Sequence, residues 1–373
     1  MKLRRPLAAL LLAVLPAIAT LATQAAEPTA APTLPTLPTL PTLPAFPTLP
    51  AATRLTETSA GDIYFETRTP YDFDILVSQG ARLPTHRGMG RLFLPAGASA
   101  RQPVPAVVLV HGSGGISPGR EMEYGALLAA DGYAALVIDY YRPRGMTETT
   151  PYLTKTLGVT EFDATADAYA GLRALSSHPA IDPKRIAVAG FSYGGMAVRI
   201  ALDARVRAAL APDLPPFAAH VDYYGPCFQD FHVQHTTGAP LLSLRGGEDA
   251  SNDLAACATR EAQLRQAGSE VSSVIYARAG HAWENRAPRG PNKYPYLAGC
   301  TLDYDGAGFP SVNGTTLIPP GTAPDRQRRF QLRMVSGGTM GACVKTGYIV
   351  GRDDATRVQS DYQLLRFLRQ TLN

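Results

Sequence analysis

Ser192 stands between two glycines, in Gly190-Phe-Ser-Tyr-Gly194, directly after the apolar run Ile186-Ala-Val-Ala189 and before a helical pattern that starts near Met196. A serine in that position is placed to be a nucleophile. A sharp strand-to-helix turn strains its backbone, leaves room only for glycine two residues to either side, and lifts its hydroxyl above the sheet edge. The amide of Tyr193 then points from a helix N-terminus toward a reacting carbonyl, where negative charge develops. A glycine-rich turn would match the bare pattern too, and the strand before it and helix after it decide for the nucleophile.

A serine hydroxyl needs a base to take its proton and a carboxylate to orient that base, in the chain order serine, acid, histidine. His281, in Tyr276-Ala-Arg-Ala-Gly-His-Ala-Trp283, follows an apolar strand pattern and is expected to act as the base. Asp249, in Leu244-Arg-Gly-Gly-Glu-Asp249, likewise follows a strand pattern and leads Glu248, Asp253 and Asp222 as the acid. The turn Val110-His-Gly-Ser-Gly-Gly115 ends another buried strand, so the amide of Ser113 or of Gly114 is expected to join that of Tyr193 in holding an oxyanion. These groups suffice for acyl transfer, with no cofactor required. His232 and His235 are three residues apart, but no third ligand of convincing spacing accompanies them, so they read as part of a polar loop near the site mouth and no metal is expected.

Strand-like and helix-like runs alternate around these residues, which predicts an α/β fold with a mainly parallel sheet and helices on both faces. The expected strands are Gly90–Leu94, Val104–Val110, Tyr133–Asp139, Ile186–Ala189, His220–Tyr224, Leu241–Leu244 and Val274–Tyr276. The helices expected among them span 121–130, 162–175 and 196–204, with Asp182–Arg185 as a turn. A last helix over Gln359–Leu372 is expected to pack through Tyr362, Leu365, Phe367 and Leu368. Before it lies a polar excursion rich in Gly and Pro, from about 284 to 346, which is too long for a bare connection and is expected to line or cover the pocket.

The N-terminal portion reads differently. Lys2, Arg4 and Arg5 precede an apolar run broken by Pro6 and Pro16 and closed by small residues, the pattern of an export signal over residues 1–25 rather than of a spanning helix. Residues 26–54 are dominated by a Thr-Leu-Pro repeat, in which every third residue lacks an amide proton and holds a polyproline φ; this is a semi-rigid spacer, and the folded body runs from Leu55 to Asn373. The 373 residues carry a formal charge of only +4, with 35 basic residues against 31 acidic and no basic run, which argues against nucleic-acid binding. Cys227, Cys257, Cys300 and Cys343 form an even set in a chain expected outside the cytoplasm, in the periplasm or secreted, so two disulfides of three possible connectivities are expected.

With VHGSGG, DGYAALVIDYYRPRG, IDPKRIAVAGFSYGG, VDYYGPC, RGGEDASNDLAAC and YARAGHAW in this order, the chain resembles the dienelactone hydrolase family of α/β-hydrolases from about Gly88 onward. The resemblance implies an α/β-hydrolase fold, with Asp249 as acid, His281 as base and Ser192 where the family's namesakes carry cysteine. That departure points to esterases in the broader sense rather than to dienelactones. Exported relatives also imply the pairing Cys227 with Cys257, leaving Cys300 with Cys343 to staple the excursion. The GFSYGG elbow is similar to that of prolyl-oligopeptidase-type peptidases, but residues 55–103 are too few for the propeller those enzymes carry. The expectation is an exported serine hydrolase acting on small-molecule carboxylic esters, with no stable membrane span after signal cleavage. A non-catalytic binding module on the same fold and a serine peptidase are the alternatives.

Overall fold

The computed structural model describes residues 41–373, so the expected export signal and the first part of the expected spacer lie outside the described residues. Its centre is an eight-stranded sheet in the order β1-β2-β4-β3-β5-β6-β8-β9. These strands are β1 (Gly61–Thr67), β2 (His86–Phe93), β3 (Val104–Val110), β4 (Ala134–Asp139), β5 (Ile181–Phe191), β6 (Ala219–Tyr223), β8 (Leu241–Gly246) and β9 (Val271–Tyr276), with the two-residue β7 (Gln229–Asp230) outside the sheet. β2 runs antiparallel to both of its neighbours, β1 and β4, near one edge, and the remaining neighbours pair in parallel, the topology expected from alternating strands and helices.

Alternation along each strand divides the core between the two faces. Val108 and Val110 of β3 point into one layer, beneath α4 (Glu161–Ser176) and α5 (Tyr193–Ile200), where Phe162, Leu172 and Val198 are fully buried. Val107 and Leu109 point into the other, beneath α2 (Glu123–Ala130) and α9 (Asp354–Leu372), with Leu128, Leu364 and Leu368. Parallel strands covered on both sides read as unbroken apolar runs, which is why they are visible in the sequence. α4 starts at a capping box: the Thr160 hydroxyl accepts from the Asp163 amide at 3.3 Å, and the Asp163 carboxylate accepts from the Thr160 amide at 3.0 Å.

Several local expectations are corrected. β5 begins at Ile181, and Asp182–Arg185 lies inside it as an irregularity where the register with β3 jumps from Val104 opposite Ile181 to Ala106 opposite Ile186. The helix after Ser192 starts at Tyr193 and ends at Ile200, and α6 (Ala204–Leu210) follows as a separate element. On α9 the buried stripe is Thr356, Ser360, Leu364, Leu368 and Leu372, spaced by four, while Tyr362 falls on the opposite face and is 62% exposed.

The excursion is structured. It holds the short strands β10 (Gly290–Pro291), β11 (Tyr296–Leu297), β12 (Leu302–Tyr304), β13 (Pro310–Val312), β14 (Thr315–Thr316), β15 (Val344–Lys345) and β16 (Ile349–Val350), together with α8 (Arg326–Ser336). β10 pairs with β16 and β11 with β15, and Cys300–Cys343 closes this ladder. Cys227–Cys257 ties the loop after β6 to α7 (Leu254–Gln266). α8 is fastened by charge rather than by an apolar stripe. Arg329 is wholly buried and donates to Asp72 and Asp74 at 2.8 Å, on and just before α1 (Phe73–Gln79). No helix among the described residues is long and apolar enough to cross a membrane.

Candidate active site

Ser192 caps α5 with φ +55° and ψ −111°, a left-handed conformation in which a side chain is strained. Its amide is held by the Tyr223 carbonyl at 2.8 Å. A Cβ on Gly190 would overlap the Gly194 carbonyl, and one on Gly194 would overlap the Val110 carbonyl, so the two flanking glycines are required by backbone contact.

β8, β9 and β5 end side by side or one strand apart, and their C-terminal loops bring three side chains together. Ser192 Oγ lies 2.8 Å from His281 Nε2, and His281 Nδ1 lies 2.7 Å from Asp249 Oδ2. The imidazole and the carboxylate are buried, while the serine is only half-buried, so the hydroxyl is the member that faces solvent. Burial pushes the Asp249 carboxyl up, but the adjacent imidazole and hydrogen bonds from His281, Ser251 and Asn252 outweigh it and hold the group below the ordinary carboxylate range. The Ser251 hydroxyl donates to Asp249 Oδ1 at 2.5 Å, and Asn252 Nδ2 donates to Oδ2 at 2.8 Å.

The rival acids have other partners. Glu248 pairs with Arg289 at the surface, Asp253 caps α7 through the amides of Ala255 and Ala256, and the wholly buried Asp222 is shared by Arg199 and Arg245. His232 Nε2 meets Asp303 at 2.7 Å and its ring lies near Asp230. These three could be spaced around an ion, but Asp230 is engaged by Arg260, and His235 is not among them.

The turn after β3 passes directly beside the serine: a Cβ on Gly112 would stand 3.4 Å from Ser192 Cβ. Its shape is fixed from outside, with the Tyr141 phenol donating to the Ser113 carbonyl at 3.1 Å and that of Tyr152 to Ser113 Oγ at 3.3 Å. The amides of Ser113, Gly114 and Tyr193 have no acceptor among the described residues, so each is free to donate. Beyond this turn opens a cavity of about 520 Å³ lined by Gly114, Gly115, Met122, Tyr141, Met146 and Lys155.

Sequence reading missed several residues around this arrangement. Ser251 and Asn252 follow the acid within three residues, and both are types that bond nearby backbone and side chains in turns, a signal that was present. Tyr224 gave none. Its φ is +42°, its carbonyl accepts from Asn252 Nδ2 at 2.8 Å, and its ring packs 4.5 Å from that of His281. Its phenol donates to Glu284, a carboxyl pushed up by burial. The excursion also reaches the histidine. The His281 amide donates to the Ile349 carbonyl at 2.7 Å, Gly351 donates back to the His281 carbonyl at 3.0 Å, and the Tyr348 ring stands 5.4 Å from the imidazole. Across the mouth, Tyr294 stacks on Tyr152 at 4.3 Å.

The model of the dienelactone hydrolase family matches residues 90–301. Among solved structures, a dienelactone hydrolase-like promiscuous phosphotriesterase from metagenomic libraries is similar with a TM-score of 0.50 and 16% identity, over 84% of this chain and 100% of that one. Esterase 2 of Thermogutta terrifontis is similar with a TM-score of 0.43 and 17% identity, over 52% of this chain and 80% of that one. No curated protein matches.

Proposed function

Since the chain belongs to the dienelactone hydrolase family, we propose that it is an exported serine hydrolase of carboxylic esters, with Ser192 as nucleophile, His281 as general base and acid, and Asp249 as the orienting carboxylate. The observation that carries this reading is the unbroken hydrogen-bonded line from Ser192 Oγ through both imidazole nitrogens to Asp249, at 2.8 and 2.7 Å.

In the proposed mechanism Ser192 Oγ attacks the ester carbonyl carbon as His281 Nε2 takes its proton. Asp249 stabilises the imidazolium and keeps Nδ1 protonated toward itself. The oxyanion is held by the Tyr193 amide and that of Ser113 or Gly114, which need no reorganisation because they lack acceptors. Collapse breaks the ester C–O bond, and the alcohol leaves with the proton from His281. A water molecule, deprotonated by the same nitrogen, then attacks the acyl-serine; the acyl C–Oγ bond breaks, the acid leaves, and His281 returns the proton to Ser192 Oγ. Tyr152 and Tyr294 at the mouth, with the cavity beyond Gly114, are where differences between substrates are read. Export is supported by the signal-like residues 1–25 and by two disulfides, which persist outside the cytoplasm.

Fluorophosphonate labelling of the purified, oxidised protein, followed by peptide mass mapping, tests the assignment together with short-chain aryl ester turnover. The adduct is expected on Ser192, with turnover lost in Ser192→Ala. A folded sample that neither labels nor turns over would support a binding module instead, and amide cleavage at rates matching esters would support a peptidase.

A further inference from the structure

The proline-rich stretch does not simply lead up to the body; its described end is seated in a groove. Leu43 lies against the backbone at the end of α3 (Tyr152–Gly158), where a Cβ on Gly158 would come within 2.5 Å of Leu43 Cδ2. Gly145, at φ +75°, faces Pro44 and the Ala45 carbonyl, which a Cβ would approach to 2.6 Å. Gln327, in the first turn of α8, reads the strap's backbone with both ends of its amide: Oε1 accepts from the Leu43 amide at 2.8 Å and Nε2 donates to the Pro41 carbonyl at 3.2 Å. Next to it the Arg326 guanidinium lies 5.0 Å over the Phe46 ring, whose other neighbour is the His86 ring at 4.6 Å.

These contacts fit a repeat better than they fit a single sequence. A polyproline II segment makes no internal hydrogen bonds, so a side-chain amide that bonds an N–H and a C=O two residues apart recognises the conformation itself. The repeat advances by three residues, one turn of that helix, so sliding it by one unit of roughly 9 Å brings an identical Leu and Pro to the same places. Thr33-Leu-Pro, Thr36-Leu-Pro, Thr39-Leu-Pro and Thr42-Leu-Pro are identical, and Thr48-Leu-Pro repeats them once more. Ala45-Phe-Pro47 alone interrupts the series, with Phe46 in place of its leucine. In a register shifted by one unit, Leu43 would stand where Phe46 now meets Arg326, and the cation–π contact would be lost.

We propose that the groove formed by Gly145, Gly158, Arg326 and Gln327 is a docking site for leucine-proline units, that its occupant is this chain's own Thr-Leu-Pro repeat, and that Phe46 selects one of several seatable registers. The strap is then a tether whose free length changes in steps of one unit.

Hydrogen exchange of the full chain, read by mass spectrometry at the leucine amides of the repeat, tests this. In the wild type the Leu43 amide exchanges at least about tenfold more slowly than in an unstructured peptide of the same sequence. Phe46→Ala lowers that protection severalfold, while the amides of Leu37 and Leu40 slow as their units take turns in the groove. Gln327→Ala removes protection from all of them, and aryl ester turnover is unchanged in both variants. Exchange at the free-peptide rate in the wild type would overturn the docking. Phe46→Ala without loss at Leu43, or with loss there and no gain at Leu37 and Leu40, would overturn the choice of register. Full protection in Gln327→Ala would overturn recognition by the side-chain amide.

Discussion

At the scale of single residues, the geometry makes the surroundings of the proposed acid as consequential as the acid itself. Asp249 receives hydrogen bonds from His281, Ser251 and Asn252, and Asn252 also ties it to the carbonyl of Tyr224, whose ring supports the imidazole. Asn252→Ala removes one donor from a buried carboxylate and releases its link to Tyr224. We expect kcat for an aryl ester to fall about tenfold, roughly 1.4 kcal/mol, with KM little changed, because Asn252 acts on the orientation of the base and not on the substrate. Steady-state kinetics that show an unchanged kcat, or a loss entirely in KM, would refute this role. Since Asp249 is depressed in the fold, its contribution to stability is complete above its unfolded value of about 3.9 and is lost as pH falls through the lower folded one.

At the scale of elements, legibility in the sequence followed the kind of force that holds each piece. The strands buried on both faces show as apolar runs, and the turn at Ser192 shows because backbone collision admits only glycine at 190 and 194. That Ser192, Asp249 and His281 come together was readable for the same reason: each follows a strand whose pattern is plain. α8 was not, because Arg329 and Arg333 hold it through ion pairs with Asp72 and carboxylates distant in sequence, and its residues RQRRFQLRMVS are too polar overall to read as a helix of the core. Tyr362 was misplaced because an aromatic residue was counted as core on a helix whose buried stripe repeats every four residues from Thr356. The ion pairs of α8 give a prediction. Arg329→Met leaves Asp74 without its buried partner and Asp72 with Arg333 alone, and removing one side of such a pair typically costs about 3–5 kcal/mol. Denaturant unfolding of the variant is expected to show that loss; a change within about 0.5 kcal/mol would mean the pair is dispensable.

For the molecule as a whole, two buried imidazoles outside the hydrogen-bonded line of Ser192, His281 and Asp249 set a limit on the acid side. His111 and His220 are completely buried, and burial pushes each down to about 4. The unfolded chain takes up these protons near 6.5 while the folded one does not, so stability is full above about 6.5 and each residue removes about 1.4 kcal/mol per pH unit as pH falls from there toward 4. Unfolding free energies measured between those limits are expected to decline, and His220→Asn, which lacks the titration, to flatten the slope by about that amount. An unaltered slope in the variant would place the acid sensitivity elsewhere.

The backbone of His281 is clasped by Ile349 and Gly351, which follow it only after the whole excursion has been made. Ser192, Asp249 and His281 are therefore all synthesised before the strand that steadies the base exists. A ribosome-bound or truncated chain that ends within the excursion carries Ser192, Asp249 and His281 and lacks the backbone partners that clasp the last of them. The order of synthesis thus makes the proposed site one of the last parts of the protein to be completed.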